Sequence, residues 1–242
     1  MGWDLREKIK EIPDQPGVYL FKDAAGKIIY IGKAKSLKKR LASYLSPAVG
    51  AKTGLMLSRA QDLELRLTSS ESLALFLEAG LIRQFHPKYN VSRRDDKNFP
   101  LVKITHEEFP AVSVVRRREN DGSRYFGPYT SAKLLREALR TIRRSFPFRV
   151  HQELPEETRL YHKMGLSPAS TLKEIDRREY SRNIRSLSLI LNGRTEALVK
   201  KLTREMKMAA KARDFERAAV IRDQISALAA LTSPRRGFTV ND

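Results

Sequence analysis

The chain has 242 residues, enough for two or three modules, with 47 lysines and arginines against 28 acidic residues. The formal charge of +19 exceeds what solubility requires and predicts a polyanionic partner, most simply nucleic acid, although a generally basic protein is the alternative. The absence of cysteine excludes disulfides and cysteine-bound clusters. No secretory leader or membrane segment is recognisable, so we expect cytoplasmic residence and no membrane partner.

The first segments predict a small antiparallel sheet. Residues 17–22 and 27–31 are β-rich runs joined by a short link that contains Gly26, as in a hairpin. Residues 55–61 have helical character, and residues 62–68, DLELRLT, alternate apolar and charged side chains as a half-buried third strand does. The pattern therefore predicts three antiparallel strands flanked by helices.

Two helices in this region carry specific signals. Ser36 is a candidate N-cap for the basic helix SLKKRLASYL. Thr68 and Glu71 have the spacing of a capping box before SLALFLEAGLIRQF, a run that is apolar nearly all round and is predicted to be buried. Its isolated carboxylate, Glu78, would lose hydration there and is expected to bind a cation. Glu71 lies on the same stripe, but its position favours a capping role over a second metal ligand.

The rest of the chain predicts two further modules. FPLVKIT and AVSVVRRR are candidate strands, FGPY a turn and SAKLLREALRTIRRSF a basic amphipathic helix. Residues 195–212 and 215–231 predict an antiparallel helix hairpin with Asp214 as a cap, whose small apolar stripe favours pairing with another chain. The predicted fold class is α+β, with modules at residues 1–95, 96–192 and 193–232.

The first module carries a recognisable motif. Gly17-Val18-Tyr19, followed eleven residues later by Tyr30-Ile31-Gly32, resembles the paired signature of GIY-YIG nucleases, with valine in place of the usual isoleucine. GKAKSLKKR, then LEAGLI around Glu78 and PKYN ending at Asn90, resemble the rest of that module in order. This resemblance implies a metal-dependent DNA endonuclease domain.

The similarity extends along the chain. DDKNFPLVKIT, EEFPAVSVVRRR and RYFGPYTSA resemble the segment that follows the nuclease in the UvrC family, the incision subunits of bacterial nucleotide excision repair. MKMAAKARDFERAAVIRDQISAL is similar to the UVR motif through which UvrC pairs with UvrB. The resemblance implies nicking of damaged DNA on the 3′ side and a UvrB-like partner, contacted by Phe215, Ala219 and Arg222.

Two departures from the family narrow this expectation. UvrC proteins usually hold an iron–sulfur cluster on cysteines after the FGPY segment, whereas this chain has FPFRVHQELPEETRLYHKMGLSPAS and no cysteine, so no such cluster is expected. The RNase H-type nuclease and helix-hairpin-helix unit of UvrC lie beyond the matched segments, so incision on the 5′ side is not expected of this sequence.

The resemblance also assigns roles within the site. Tyr30 is the implied general base, Arg40 the phosphate ligand and Glu78 the ligand of one Mg²⁺ or Mn²⁺ ion. A phenol with a pKa near 10 is a poor base, and Lys33 and Arg40 are expected to favour its deprotonation. Tyr19 and Tyr44 are expected to bond water or phosphate, and Asn90 to orient a loop or backbone group. Nonspecific phosphate attraction is expected from three exposed lysines: Lys35, Lys38 and Lys39.

Three functions remain open at this level. The first is an active nickase recruited through the UVR hairpin. The second is an adaptor that binds DNA and UvrB without cutting, which the loss of the cysteines would favour. The third is a structure-specific nuclease outside repair, for which the hairpin would be a self-association device.

Overall fold

The computed structural model describes residues 4–46, 48, 50–90, 99–150 and 176–232. The chain forms two compact units, built mainly from Met1–Ser92 and Arg93–Ala229. Residues 151–175 lie outside the described residues. They make up most of the cysteine-free segment that was compared with the iron–sulfur region of UvrC proteins.

A three-stranded antiparallel sheet forms the centre of the first unit, which confirms the predicted fold class. Its strands, in the order β2-β1-β3, are β1 Gly17–Lys22, β2 Ile28–Ala34 and β3 Asp62–Leu67. The second strand is longer than the predicted run because its pairing with β1 continues to Ala34. This extension brings Lys33 into the sheet.

Among the described residues of this unit, four helices flank the sheet: α1 Leu5–Glu11, α2 Leu37–Ala42, α3 Ala51–Arg59 and α4 Glu71–Phe85. Ser36 is the N-cap of α2 and accepts a hydrogen bond from the backbone N–H of Lys39, as predicted. A 3₁₀ turn, Ser43–Leu45, follows α2. Helix α3 begins earlier than the predicted segment, residues 55–61. Gly54 is a weak helix former, but the helix continues through it.

The start and the burial of α4 differ from the prediction. Ser70 is the N-cap and accepts from the backbone N–H of Leu73, so Thr68 and Glu71 do not form a capping box. The backbone N–H of Thr68 donates to Pro16 and continues the strand ladder, which keeps Thr68 out of the cap. The helix is also not buried all round, since Glu78 is half-buried.

The two faces of the sheet have different cores. Tyr19 and Phe21 lie on one face, where they pack with residues of α1, α2 and α3. Leu20 and Ile31 lie on the opposite face and pack against Ala74 of α4. Because side chains alternate along a strand, neighbouring residues of β1 and β2 serve different faces.

The second unit contains another three-stranded antiparallel sheet, in the order β5-β4-β6. Its strands and first helix are β4 Leu101–Ile104, β5 Val112–Val115, β6 Arg124–Phe126 and α5 Ala132–Ser145. The sequence prediction missed β6, which has only three residues. The FGPY turn is a packing corner, with a cis Gly127–Pro128 bond and a buried Tyr129.

Three helices complete the described part of the second unit: α6 Arg177–Leu191, α7 Thr195–Lys211 and α8 Phe215–Thr232. The predicted hairpin of α7 and α8 is present, and Asp214 accepts from the backbone N–H of Arg217 at 3.1 Å, as a cap does. In α8, Ile221 and Leu228 are buried, whereas Phe215 is 68% exposed. No helix within the described ranges combines the length and apolarity needed to span a bilayer.

Candidate active site

Register between β1 and β2 places Tyr19 opposite Gly32. The Tyr19 side chain is only 1% exposed, and a Cβ on residue 32 would lie 2.5 Å from its Cζ atom and collide with its hydroxyl oxygen. Glycine is therefore required at this position for the tyrosine ring to cross the strand. Gly32 thus serves backbone geometry.

A buried hydrogen-bond chain links Tyr19 to the surface. The hydroxyl groups of Tyr19 and Tyr44 are 2.7 Å apart, and Arg40 Nε donates to the Tyr19 hydroxyl at 3.3 Å. The guanidinium carbon of Arg40 also lies 5.0 Å from the centre of the Tyr44 ring. Burial raises the pKa of Tyr19, and the hydrogen bond to this phenol raises the pKa of Arg40.

These contacts correct the expectation for Tyr19. Its hydroxyl is engaged by Arg40 and Tyr44 inside the core, so it does not present a free group to water or phosphate. The Arg40 side chain, in contrast, is exposed. Because Nε faces Tyr19, the planar guanidinium keeps its two Nη groups for another acceptor.

A cavity of about 200 Å³ adjoins this cluster. Three predicted residues line it: Tyr30, Arg40 and Tyr44. The sequence prediction did not include the other four lining residues: Lys52, Thr53, Met56 and Tyr89. Within the described part of the chain, no carboxylate lies at ion-pair distance from Lys52. The cavity therefore combines hydroxyl groups with two cations, a lining suited to an anionic ligand.

The missed residues come from α3 and the end of the module. Lys52 and Thr53 lie in the first turn of α3, ahead of the residues that were predicted to be helical. A lysine–threonine pair just before an amphipathic run was the available signal. Tyr89 directly precedes Asn90 in the PKYN motif and could have been considered with it.

The electrostatics of Tyr30 differ from the expectation. Burial is the main cause that raises its pKa to about 12, and the neighbouring Tyr44 adds to this effect. The field of the Glu78 carboxylate acts in the same direction. Burial outweighs any effect of Lys33 and Arg40, so the phenol of Tyr30 is neutral at neutral pH.

The free edge of β2 organises the second part of the site. Asn90 Oδ1 accepts from the backbone N–H of Ile31 at 2.8 Å, and Asn90 Nδ2 donates to the Ile31 carbonyl at 2.7 Å. The backbone N–H of Tyr89 donates to the Ile29 carbonyl at 3.0 Å. The segment that contains Asn90 thus satisfies the edge as a further strand would.

Glu78 lies along the same edge. Its Oε1 accepts from the backbone N–H of Lys33 at 3.3 Å, two residues beyond the Asn90 contact. The Lys33 ammonium does not face this carboxylate and instead donates to Glu71 Oε1 at 2.7 Å. Glu71 therefore binds a lysine and has no capping function.

The donor set fits a weakly held hard cation. No group of three or more histidine or acidic side chains capable of holding a metal is found in the described ranges. Glu78 has its carboxylate oxygens at a half-buried position, near enough for their charge to act on Tyr30. Mg²⁺ and Mn²⁺ suit such a site, since they accept one protein carboxylate when water and phosphate oxygens complete the coordination.

The remaining predicted residues lie away from these contacts. Lys35, Lys38 and Lys39 are exposed, and Lys39 lies 4.0 Å from Asp14. In the hairpin, Phe215 and Arg222 are exposed and Ala219 is half-buried. Their assignment to DNA or to a partner stays a prediction.

Models of known families match three segments of the chain. They are described as the UvrC-like GIY-YIG domain at residues 15–91, the UvrC/Cho excinuclease middle domain at residues 99–188 and the UvrB/uvrC motif at residues 196–231. The first unit is thus an endonuclease domain of the GIY-YIG class. Since all three segments follow in one chain, this protein belongs to the UvrC family.

Relatives named UvrABC system protein C support the assignment. Those of Carboxydothermus hydrogenoformans and Moorella thermoacetica are 45% and 44% identical, over 93% of this chain and 38% of each relative. The chain thus spans well under half of their length. One solved structure that matches is the GIY-YIG N-terminal endonuclease domain of UvrC from Thermotoga maritima, bound to magnesium as its catalytic divalent cation. Its sequence is 46% identical, and the match covers 38% of this chain and all of that domain, with a TM-score of 0.35.

Proposed function

We propose that this chain nicks DNA by metal-dependent hydrolysis of one phosphodiester bond, on the 3′ side of a lesion in nucleotide excision repair. The observation that carries the proposal is the arrangement around β2. A tyrosine–arginine cluster opens onto an anion-suited cavity on one face, and the Glu78 carboxylate lies at the neighbouring edge. Phosphodiester hydrolysis needs such a combination of cationic donors, a proton acceptor and a metal ligand.

Arg40 is the proposed ligand of the scissile phosphate. Its side chain is exposed at the cavity. On the side toward the core, Arg40 donates a hydrogen bond to the Tyr19 hydroxyl and packs against the Tyr44 ring. The two Nη groups match two phosphate oxygens, which a lysine could not do. Tyr19 acts as a positioning residue in this scheme, because its buried hydroxyl reaches the substrate only through Arg40 and Tyr44.

Glu78 is the proposed ligand of one divalent cation. A cation held there would place positive charge against a phosphate oxygen and ease the ionisation of nearby water. Lys33 and Asn90 fix the edge of β2 beside it, through the contacts to Glu78 and to the Ile31 backbone. These residues set the position of the carboxylate before substrate arrives.

Tyr30 is the proposed proton acceptor, under a constraint set by its pKa of about 12. At pH 8 about one molecule in 10⁴ would hold Tyr30 as the phenolate when no cation is bound. The base therefore depends on added positive charge, from the cation and from Arg40 as it binds phosphate. The nicking rate is expected to rise with pH through the neutral range.

DNA and a UvrB-like protein are the proposed partners. The excess of basic residues, with exposed lysines at 35, 38 and 39 beside the nuclease motif, supports binding to the phosphate backbone. The UvrB/uvrC motif and the exposed Phe215 of the hairpin support a protein partner. Cytoplasmic residence follows from that role and stays a proposal.

The proposal is tested with the purified chain on nicked, branched and lesion-bearing duplexes, with Mg²⁺ or Mn²⁺ and with or without UvrB. Glu78→Gln and Tyr30→Phe are expected to reduce nicking at least a hundredfold. Glu64→Gln, which changes a half-buried ion-paired carboxylate of β3, is the matched control and should nick normally. Equal nicking by all variants would contradict the site. No nicking on any substrate by the wild-type chain would favour the adaptor function instead.

A further inference from the structure

One residue of β2 binds both carboxylates of α4. The Lys33 ammonium donates to Glu71 at 2.7 Å, and the Lys33 backbone N–H donates to Glu78 at 3.3 Å. Glu71 and Glu78 are the acidic residues of α4, seven positions apart. The side chain and the main chain of Lys33 thus face different ends of the helix.

The geometry separates the ammonium from the proposed metal ligand. Seven residues correspond to about 10 Å along a helix axis, so the Glu71 contact draws the lysine side chain toward the start of α4. The Lys33 and Glu71 side chains are 18% and 31% exposed, which places their pair in a partly dry environment. An ammonium released from Glu71 would have Glu78 within reach, since that carboxylate already touches the backbone of Lys33.

We propose that Glu71 is a positioning residue that holds the Lys33 ammonium away from Glu78 and so favours binding of the cation by the Glu78 carboxylate. The inference rests on the metal site of the proposed function. An ammonium on Glu78 would both occupy its oxygens and repel a divalent ion. The ion pair therefore raises the metal affinity without contributing a metal ligand.

Two other roles for Glu71 give different results. As a direct metal ligand, or as a distant negative charge, Glu71 would strengthen metal binding whether or not residue 33 carried an ammonium. As a fold anchor, it would change the stability of the domain and leave the metal affinity of the folded protein unchanged. The proposed role alone makes the effect of Glu71 depend on Lys33.

The test is a double-mutant cycle on the metal-binding constant of the full chain. Free Mn²⁺ is measured by electron paramagnetic resonance during titration of the wild type, E71Q, K33M and the double variant, with E78Q to define the site. Glu64→Gln is the control, since Glu64 is likewise half-buried, 32% exposed, and ion-paired, with Lys22 and Arg66. Glu71→Asp is a second probe, because it keeps the charge but shortens the side chain.

The expected result is about fivefold weaker Mn²⁺ binding for E71Q, an intermediate loss for E71D and no change for E64Q. In the K33M background, E71Q should change the affinity less than twofold. An equal loss in both backgrounds would overturn the proposal, as would unchanged binding by both E71Q and E71D. If the wild-type chain and E78Q bind Mn²⁺ equally, the metal site of the proposed function fails, and the inference fails with it.

Discussion

Replacement of Asn90 tests whether its side chain completes the sheet edge as the structure indicates. The amide accepts from the Ile31 N–H and donates to the Ile31 carbonyl, and Ile31 itself is fully buried. Asn90→Ala removes both hydrogen bonds. With about 1 kcal/mol for each bond, and more if the backbone groups stay dry, the free energy of unfolding should fall by about 2–4 kcal/mol.

Asn90→Asp separates hydrogen bonding from shape. The carboxylate can still accept from the Ile31 N–H. Its other oxygen, however, would take the place of Asn90 Nδ2, which now donates to the Ile31 carbonyl, and two acceptor oxygens would then face each other. At pH 7 the loss should therefore equal or exceed that of the alanine variant. The carbonyl should raise the carboxyl pKa, so the folded state binds a proton more tightly than the unfolded state and stability is regained as pH falls.

Urea unfolding followed by circular dichroism between pH 5 and 7.5 measures both effects. The wild type corrects for the titration of other groups. The difference between Asn90→Asp and wild type should shrink as the pH is lowered, whereas the difference for Asn90→Ala should stay constant. An aspartate variant as stable as wild type at pH 7, or an alanine variant that loses less than about 0.5 kcal/mol, would refute the edge-capping role.

Three further predictions concern the face of the sheet that carries Tyr19. Gly32→Ala should lower the free energy of unfolding by about 1–3 kcal/mol in urea titrations, because its Cβ would collide with the buried tyrosine on the neighbouring strand. Gly54→Ala is the control and should be stabilising, because the space around its Cβ is open. Lys52→Ala should reduce kcat/KM for nicking about fivefold and make binding less salt-dependent, and an equal kcat/KM loss in Arg59→Ala, on the same helix but outside the cavity, would contradict this. Because the folded state keeps the Tyr30 proton up to a pKa of about 12 and the unfolded chain releases it near 10, stability should fall as pH rises between these values, and Tyr30→Phe should make this fall less steep in alkaline urea titrations.

Local patterns were sufficient to predict the sheet. The alternation in DLELRLT and the two β-rich runs around Gly26 reflect a property of single strands, so short segments were enough to predict three strands of one antiparallel sheet. The start of α4 did not follow in the same way. Thr68, Ser69 and Ser70 all offer a capping hydroxyl, and the strand contact of Thr68 to Pro16 excludes the first of them. That contact joins residues far apart in sequence.

The parts of the site that sequence could not provide are also contacts between distant segments. The motif singled out Tyr30, Arg40 and Glu78, but nothing local indicated that Glu71 would bind Lys33. The direction of the Tyr30 pKa depends on burial by other elements of the fold, which a list of neighbouring charges does not reveal. The motif thus identified the kinds of groups in the site, whereas packing determines which of these groups contact each other.

The spacing within β2 follows from the two faces of the sheet. Tyr30 and Gly32 share the face that carries the buried tyrosine, while Ile31 packs toward α4 on the other face. The outward backbone groups of Ile31 and Lys33, two residues apart, hold the side chains of Asn90 and Glu78. One added residue between Tyr30 and Lys33 would exchange these faces and separate the phenol from the cavity or the carboxylate from the edge. The alternation of side chains between the two faces of a strand therefore explains why the tyrosine, the glycine and the lysine occur in that order within four positions.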